Sequence, residues 1–238
     1  RLVEAKKDAH ETVDLFTRVE KPSFERKCEH IAISDSRHYA INEGRLRSTE
    51  GLNIHETEYR DYIYEKQVPY STALHSYMKT RDSFMVGPLP RVNLNIPQMS
   101  PDAKDAAKRS GIKIPSYNPF NSHLARAIEL VHDIDESLEI IDRLPLKQDR
   151  QSYQFKAGFG AAITEAPRGS LYHSYLLDNN GIVKKADLVP PTSHNARNIE
   201  KDIYDLVKQN SDLSVQELTL QCEMLIRAYD PCISCSTH

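Results

Sequence analysis

Long apolar runs are missing from this sequence: nothing approaches the ~20 residues that a bilayer-crossing helix requires. The amino terminus is neither a signal peptide nor a transit peptide, so the expected location is cytoplasmic with no membrane span. There is no charge excess either. Lysine and arginine number 31 against 34 aspartate and glutamate, for a net charge of −3, which removes the electrostatic case for nucleic acid or an anionic membrane as the main partner. Cysteine is scarce, with only Cys28, Cys222, Cys232 and Cys235, too few for a disulfide scaffold. No internal repeat, low-complexity tract or linker-like composition break divides the chain. The initiator methionine is absent as well. Arg1 falls inside a helical pattern, and the sequence reads as a second half whose first half was removed or lies on another chain.

What is present suits a packed unit. The 238 residues are 39% hydrophobic and 27% charged, enough apolar side chain for a substantial core. Helical spacing over residues 1–19 predicts an amphipathic helix, and residues 30–48 predict a hairpin around Asn42-Glu43-Gly44. The pattern turns helical over residues 53–66. Pro69, Gly87, Pro88 and Pro90 predict short extended pieces over residues 68–95. Ser100-Pro101-Asp102 opens a short helix with a preferred cap followed by proline at the first helical position.

A long core helix is predicted over residues 121–144, where Leu124, Ile128, Val131, Ile134, Leu138 and Ile141 recur every three or four positions before Pro145. His123 and His132 lie on it without a partner at metal-binding spacing and read as surface or hydrogen-bonded imidazoles. Asp178-Asn179-Asn180-Gly181 predicts a hairpin between two extended runs within residues 158–189. Two helices follow, over residues 195–208 and 214–228, the second opened by the capping box Ser214-Val215-Gln216-Glu217. The fold class is mainly α with small β hairpins (α+β), in one unit spanning residues 1–238.

The chemistry concentrates in the last nine residues, Asp230-Pro231-Cys232-Ile233-Ser234-Cys235-Ser236-Thr237-His238. Two thiols and an imidazole recur there at three-residue spacing directly after a helix. Thiolates so spaced can bind one metal from one side, and soft sulfur favours zinc, iron-sulfur clusters, nickel or copper(I) over hard cations. A thioredoxin-like redox pair would need a following helix to lower the thiol pKa, and little chain remains to form one. A closed zinc site needs a fourth ligand. Cys222 is the candidate, but it falls on an apolar stripe with Leu218, Leu225 and Ile226 and reads as a small core residue. Spacing alone indicates a metal and leaves its identity open.

The ending Asp-Pro-Cys-x-x-Cys-x-x-His, preceded by Arg227-Ala228-Tyr229, resembles the carboxy-terminal signature of nickel-iron hydrogenase large subunits, in which a maturation peptidase cuts after the histidine. A second block supports the resemblance: Glu165-Ala166-Pro167-Arg168-Gly169, then His173, then Leu188-Val189-Pro190-Pro191-Thr192-Ser193-His194-Asn195. His194 stands where the family commonly has tryptophan. Val86-Gly87-Pro88-Leu89-Pro90-Arg91-Val92-Asn93 and Asn118-Pro119-Phe120 extend the similarity over essentially the whole chain. These stretches look most like the cytosolic multisubunit enzymes that exchange electrons with NAD(P) or F420.

The resemblance implies the fold of the carboxy-terminal part of that subunit and a nickel-iron centre whose iron carries carbon monoxide and cyanide. Cys232 would be a terminal nickel ligand and Cys235 a bridging thiolate. His238 and the backbone carbonyl of Leu188 would hold a magnesium or iron ion. Arg168 and Thr192 match the positions that hydrogen-bond the cyanides, beside apolar walls from Pro167 and Pro191. Cleavage of hydrogen would be heterolytic, with Arg168 or Cys232 taking the proton and Asp230 partnering Arg168. Without the family, Arg168 reads as a surface ion pair with Glu165, and Asp230 as a turn residue before Pro231.

The family's site needs a further Cys-x-x-Cys pair, and Cys28, alone, reads as a buried structural cysteine. Expected partners are therefore the amino-terminal half of the large subunit or an equivalent chain, a small subunit carrying iron-sulfur clusters, and diaphorase-type electron-transfer subunits. The alternatives are a non-catalytic relative akin to quinone-site subunits of respiratory complexes, which have lost the cysteines, and a metal-binding or scaffold subunit with a terminal zinc.

Overall fold

The computed structural model describes residues 1–145 and 154–237. In chain order the elements are α1 (Leu2–Arg18), β1 (Glu29–Ser34), β2 (Arg45–Ser48), β3 (Asn53–Ile54), α2 (Tyr59–Tyr62), β4 (Ile63–Gln67), β5 (Leu74–Met78), β6 (Phe84–Met85), α3 (Pro88–Asn95), α4 (Pro101–Ser110), α5 (Ser122–Arg143), β7 (Gly158–Ala166), β8 (Gly169–Leu177), β9 (Val183–Val189), α6 (Pro191–Gln209), α7 (Val215–Tyr229) and α8 (Ile233–Ser236).

Two apolar cores organise them. The first is helical: Leu124, Ile128 and Val131 of α5 pack with Ala9 and Val13 of α1, Leu89 and Val92 of α3, Ala103 and Ala106 of α4, Leu206 of α6 and Leu225 of α7. The stripe on α5 stays buried only through Ile134, and Ile141 is 60% exposed, so the last turns leave the core. The second core lies between the mixed sheet β3-β2-β1-β6 and the three-stranded sheet β7-β8-β9, with Ile31, Ile33, Phe84, Val86, Ile163 and Tyr172 at its centre. All six residues of β1 are buried, because it is central in its sheet and covered on both faces.

Local capping explains several element starts. The Ser100 hydroxyl accepts from the Ala103 amide, and the Ser214–Glu217 box closes reciprocally on α7. Gly111 ends α4 in the left-handed region.

Four segments differ from expectation. Residues 53–66 are not one helix: β3, a 3-10 turn at Glu56–Glu58 and the single turn α2 lead into β4, which pairs with β5. Residues 88–95, expected as extended, form α3. Pro88 and Pro90 fall in its first turn, where backbone N–H groups have no intrahelical acceptor and a proline forfeits nothing. Residues 158–177 are two strands, folded back at Pro167-Arg168 with Ala166 paired to Gly169. The Asn180-Gly181 turn joins β8 to β9 as expected, with Gly181 at φ 77°. Helix α6 starts earlier than expected and takes in Pro191, Thr192, Ser193 and His194.

Candidate metal centre

The site assembles where α7 ends. Asp230 caps this helix in the left-handed region (φ 52°), its amide bonded to the carbonyls of Ile226 and Arg227 at 3.1 Å each. A short polar side chain tolerates this conformation. The turn brings Asp230 to the tip of the β7–β8 hairpin. There Arg168 Nε donates to the Asp230 carbonyl at 2.7 Å and approaches its carboxylate at 3.1 Å. Arg168 and Asp230 side chains are 41% and 45% exposed, so the ion pair adds little stability and its consequence is geometric. The expected Arg168–Asp230 partnership is present. The pairing of Arg168 with Glu165 is not, because Glu165 is fully buried and taken up by Arg91 at 3.1 Å.

One residue beyond Pro231, the Cys232 amide donates to Thr192 Oγ1 at 3.0 Å. Thr192 is buried near the start of α6, and its hydroxyl, accepting one bond, keeps its own proton to donate. Pro191 beside it is buried, whereas Pro167 is exposed at the hairpin tip. The chain then makes the single turn α8, in which the Cys235 amide donates to the Cys232 carbonyl at 3.1 Å. Cys232 and Cys235 are joined as a disulfide, Cα atoms 5.3 Å apart. The spacing that lets two thiolates face one metal also lets them close on each other. Only the reduced pair could bind a metal, because each thiolate sulfur would then be free to donate. Beyond α8, Thr237 pairs with Ala73 and ties the tail to β5.

Leu188 lies on β9 opposite His173 and is 44% exposed. His238 lies outside the described residues. Among the described residues no three His, Cys, Asp or Glu side chains are grouped to hold a metal. The donor set this chain could offer is therefore a soft sulfur pair in its reduced form, of a kind that suits nickel, iron or zinc.

Cys28 and Cys222 do not join the pair. Both pack against the helical core. Burial, reinforced by Asp202, pushes the Cys28 thiol up to about 12, and burial raises Cys222, leaving both as thiols rather than ligands.

The tail rests on a buried polar support. Asn198 donates to the Tyr229 hydroxyl at 2.7 Å, Tyr229 donates to Asp202, and Arg26 closes the set on Asp202 and on Asn198 Oδ1 at 2.6 Å. Tyr229 immediately precedes Asp230, so this support fixes the end of α7 against α6. Beside the hairpin tip opens a cleft of about 410 Å3, lined by Phe16, Tyr39, Arg126, Glu129, Leu130 and Pro167.

His194 is buried, its Nε2 2.5 Å from the Tyr59 hydroxyl. Burial lowers its pKa to about 3, and His30 is lowered to about 3 for the same reason. Both imidazoles are neutral when folded but titrate near 6.5 when unfolded. The unfolded chain therefore binds more protons between those values. Stability is full above pH 6.5 and falls as pH drops toward 3, by about 1.4 kcal/mol per unit for each imidazole. His30→Gln should flatten the slope by about one proton's worth in urea unfolding of the purified chain between pH 4 and 6.

The fold is that of nickel-iron hydrogenase large subunits. The chain superimposes over its full length on 58% of an NAD+-reducing [NiFe]-hydrogenase chain, with TM-score 0.78 and 22% identity. It also superimposes on 57% of the Ni-Fe-Se hydrogenase chain from D. vulgaris Hildenborough, with TM-score 0.65 and 18% identity. Residues 28–238 match the family profile described as nickel-dependent hydrogenase, and the chain belongs to that family, as a protein of the large- or alpha-subunit type. Sulfhydrogenase 1 subunit alpha of Pyrococcus furiosus is 35% identical over 236 residues, 97% of this chain and 54% of that protein. NAD-reducing hydrogenase HoxS subunit beta of Cupriavidus necator is 30% identical over 82% of this chain and 44% of its own length. The chain thus spans about half the length of the curated relatives it matches.

Arg91, Glu129 and Tyr39 are residues that sequence reasoning missed. Arg91 lies within the stretch 86–93, whose resemblance assigns it no role. An arginine inside the apolar run 86–92 was the available signal, since arginine is almost never fully buried unless paired.

Proposed function

We propose that residues 1–238 form the carboxy-terminal part of the catalytic large subunit of a nickel-iron hydrogenase, which cleaves and forms hydrogen once joined to the polypeptide carrying the other Cys-x-x-Cys pair. The observation that carries this reading is the convergence of three elements on the cysteine pair: α7 through Asp230, the β7–β8 tip through Arg168, and α6 through Thr192.

Cys232 and Cys235, reduced, would hold the nickel-iron centre. Leu188 and His238 would hold a magnesium or iron ion. When bound, the centre supplies an electrophilic, redox-active site at which hydrogen is polarised. The protein's residues do the rest. Arg168 and Thr192 present N–H and O–H donors to the anionic cyanides, which would be costly to bury without them. Pro191, buried beside Thr192, would limit water there, and Pro167, exposed at the hairpin tip, would do so once the joined polypeptide covers it. Asp230 fixes the Arg168 fork so that its donors hold one direction.

Heterolysis requires a base beside the centre. An arginine guanidinium is protonated at every physiological pH and has no acceptor lone pair to offer, whereas the Cys232 thiolate has one. Cys232 is the proton acceptor in this reading, and Arg168 a donor and steric guard. Electrons leave to an iron-sulfur small subunit and, through diaphorase-type subunits, to NAD(P), F420 or a similar acceptor in the cytoplasm. Relatives include a subunit of the NAD-reducing hydrogenase of Cupriavidus necator and one of the F420-non-reducing hydrogenase of Methanothermobacter marburgensis; their subunit names support a multisubunit assembly, and the first favours NAD(P) over F420 as the acceptor.

Isotope exchange isolates the heterolytic step from electron transfer. The assembled complex, reduced and under deuterium gas in ordinary water, should form HD and H2 without any electron acceptor. A nickel-loaded complex that forms neither would contradict the proposal.

A further inference from the structure

The stretch 86–93 and the residue Glu165 match the family without having a task in the site as so far described. Both converge on the hairpin tip. Arg91, in the first half of α3, is only 4% exposed and spends its whole guanidinium on four partners. Nε and one Nη donate to the two Glu129 carboxylate oxygens of α5, at 2.6 and 2.8 Å. The other Nη donates to Glu165 at 3.1 Å and to the Ala166 carbonyl at 2.8 Å, while the Nη already on Glu129 also donates to the Pro167 carbonyl at 3.2 Å. Glu165 in turn accepts from the Ile33 amide of β1 at 2.9 Å and the Ser170 hydroxyl at 2.7 Å.

The two carbonyls that Arg91 grips are those immediately before Arg168. On the other side of the tip the chain backbones nearly touch. A Cβ on Gly169 (φ +131°) would lie 2.5 Å from Val86 Cγ2 and 2.8 Å from the Gly87 amide nitrogen, and one on Gly87 (φ +124°) would lie 3.1 Å from the Arg168 carbonyl oxygen. The turn carrying Arg168 is therefore gripped at residues 166 and 167 and wedged at 169. Arg168 itself has a long, half-exposed side chain whose direction depends on that turn.

From this we infer that Arg91 is a positioning residue for the hydrogen reaction: through the Ala166 and Pro167 carbonyls it sets where the Arg168 guanidinium stands relative to Asp230 and Cys232. The inference rests on the proposed role of Arg168. A buried guanidinium with two carboxylates could serve stability alone, but that would not require it to hold the backbone of this turn.

The test uses the assembled, metal-loaded complex and three variants. Arg91→Lys keeps the charge against Glu129 and Glu165 but has three donors on one atom and cannot span all these acceptors. Glu129→Gln loosens the grip from the other end with the volume conserved. Arg168→Lys is the reference. Infrared spectra of the carbon monoxide and cyanide stretching bands report the donors around the iron independently of turnover. Arg91→Lys and Glu129→Gln should move the cyanide bands in the same direction as Arg168→Lys. They should also lower turnover per nickel by about ten- to a hundredfold, with the apparent KM for hydrogen little changed. Wild-type bands and wild-type turnover per nickel in both clamp variants, alongside altered bands in Arg168→Lys, would overturn the inference even if their melting temperatures fell. Unaltered bands in Arg168→Lys itself would instead remove the reading of Arg168 on which it rests.

Discussion

Arg168→Lys should lower hydrogen turnover by about a hundred- to a thousandfold, the loss typical when a preorganised donor is withdrawn from a reacting centre, and leave nickel content unchanged. Lysine keeps the charge and little else. Arg168 uses Nε on the Asp230 carbonyl at 2.7 Å while one Nη reaches the Asp230 carboxylate at 3.4 Å. An ammonium has no second edge, so it can pair with Asp230 or face the centre but not both in a fixed direction. Because the Arg168–Asp230 pair is half exposed, breaking it should cost the fold under about 1 kcal/mol. Turnover assayed by hydrogen-dependent dye reduction, normalised to nickel, separates the two effects.

Cys235→Ser should go further and abolish both nickel retention and turnover. A serine hydroxyl is a hard donor that stays protonated at neutral pH and would not replace a soft thiolate as a nickel ligand. Cys235 is exposed, and its backbone bond to the Cys232 carbonyl at 3.1 Å does not involve the side chain. The only link its side chain makes among the described residues is the disulfide to Cys232, which closes a very short loop and is absent in the reduced chain, so a well-folded, nickel-free chain is the expected product. Cys232→Ser should behave alike, while Cys28→Ser should retain the metal, because Cys28 packs against the helical core away from the pair.

The contrast among these three cysteines was legible in the sequence. Spacing and residue type marked Cys232 and Cys235 as a pair, and solitude marked Cys28, because two thiols within four residues can meet without tertiary information. The same holds for local structure with local causes: the Ser100 cap, the Ser214–Glu217 box, the Asn180-Gly181 turn and the stripe on α5 that begins at Leu124. Helix α3 is hidden because proline inside a segment signals a break, whereas in the first turn of a helix it forfeits nothing. The reversal at Pro167-Arg168 was hidden because no Asn-Gly marks it. Its tight approach is permitted by Gly169, which acts through contact with Val86 and Gly87 some eighty positions away. The Arg91 grip was out of reach of any periodicity, since it joins residues 38 and 74 positions apart. Local chemistry could be read from the sequence, then, and the support that aims it could not.

X-ray absorption at the nickel edge of the assembled complex tests the central claim most directly, that this chain supplies two of the sulfurs on a nickel-iron centre. The expected spectrum shows nickel in a sulfur-dominated shell, with the nickel signal lost in Cys232→Ser and Cys235→Ser and kept in Cys28→Ser. A complex that binds zinc and no nickel, or one whose nickel shell is unaltered in both cysteine variants, would contradict it.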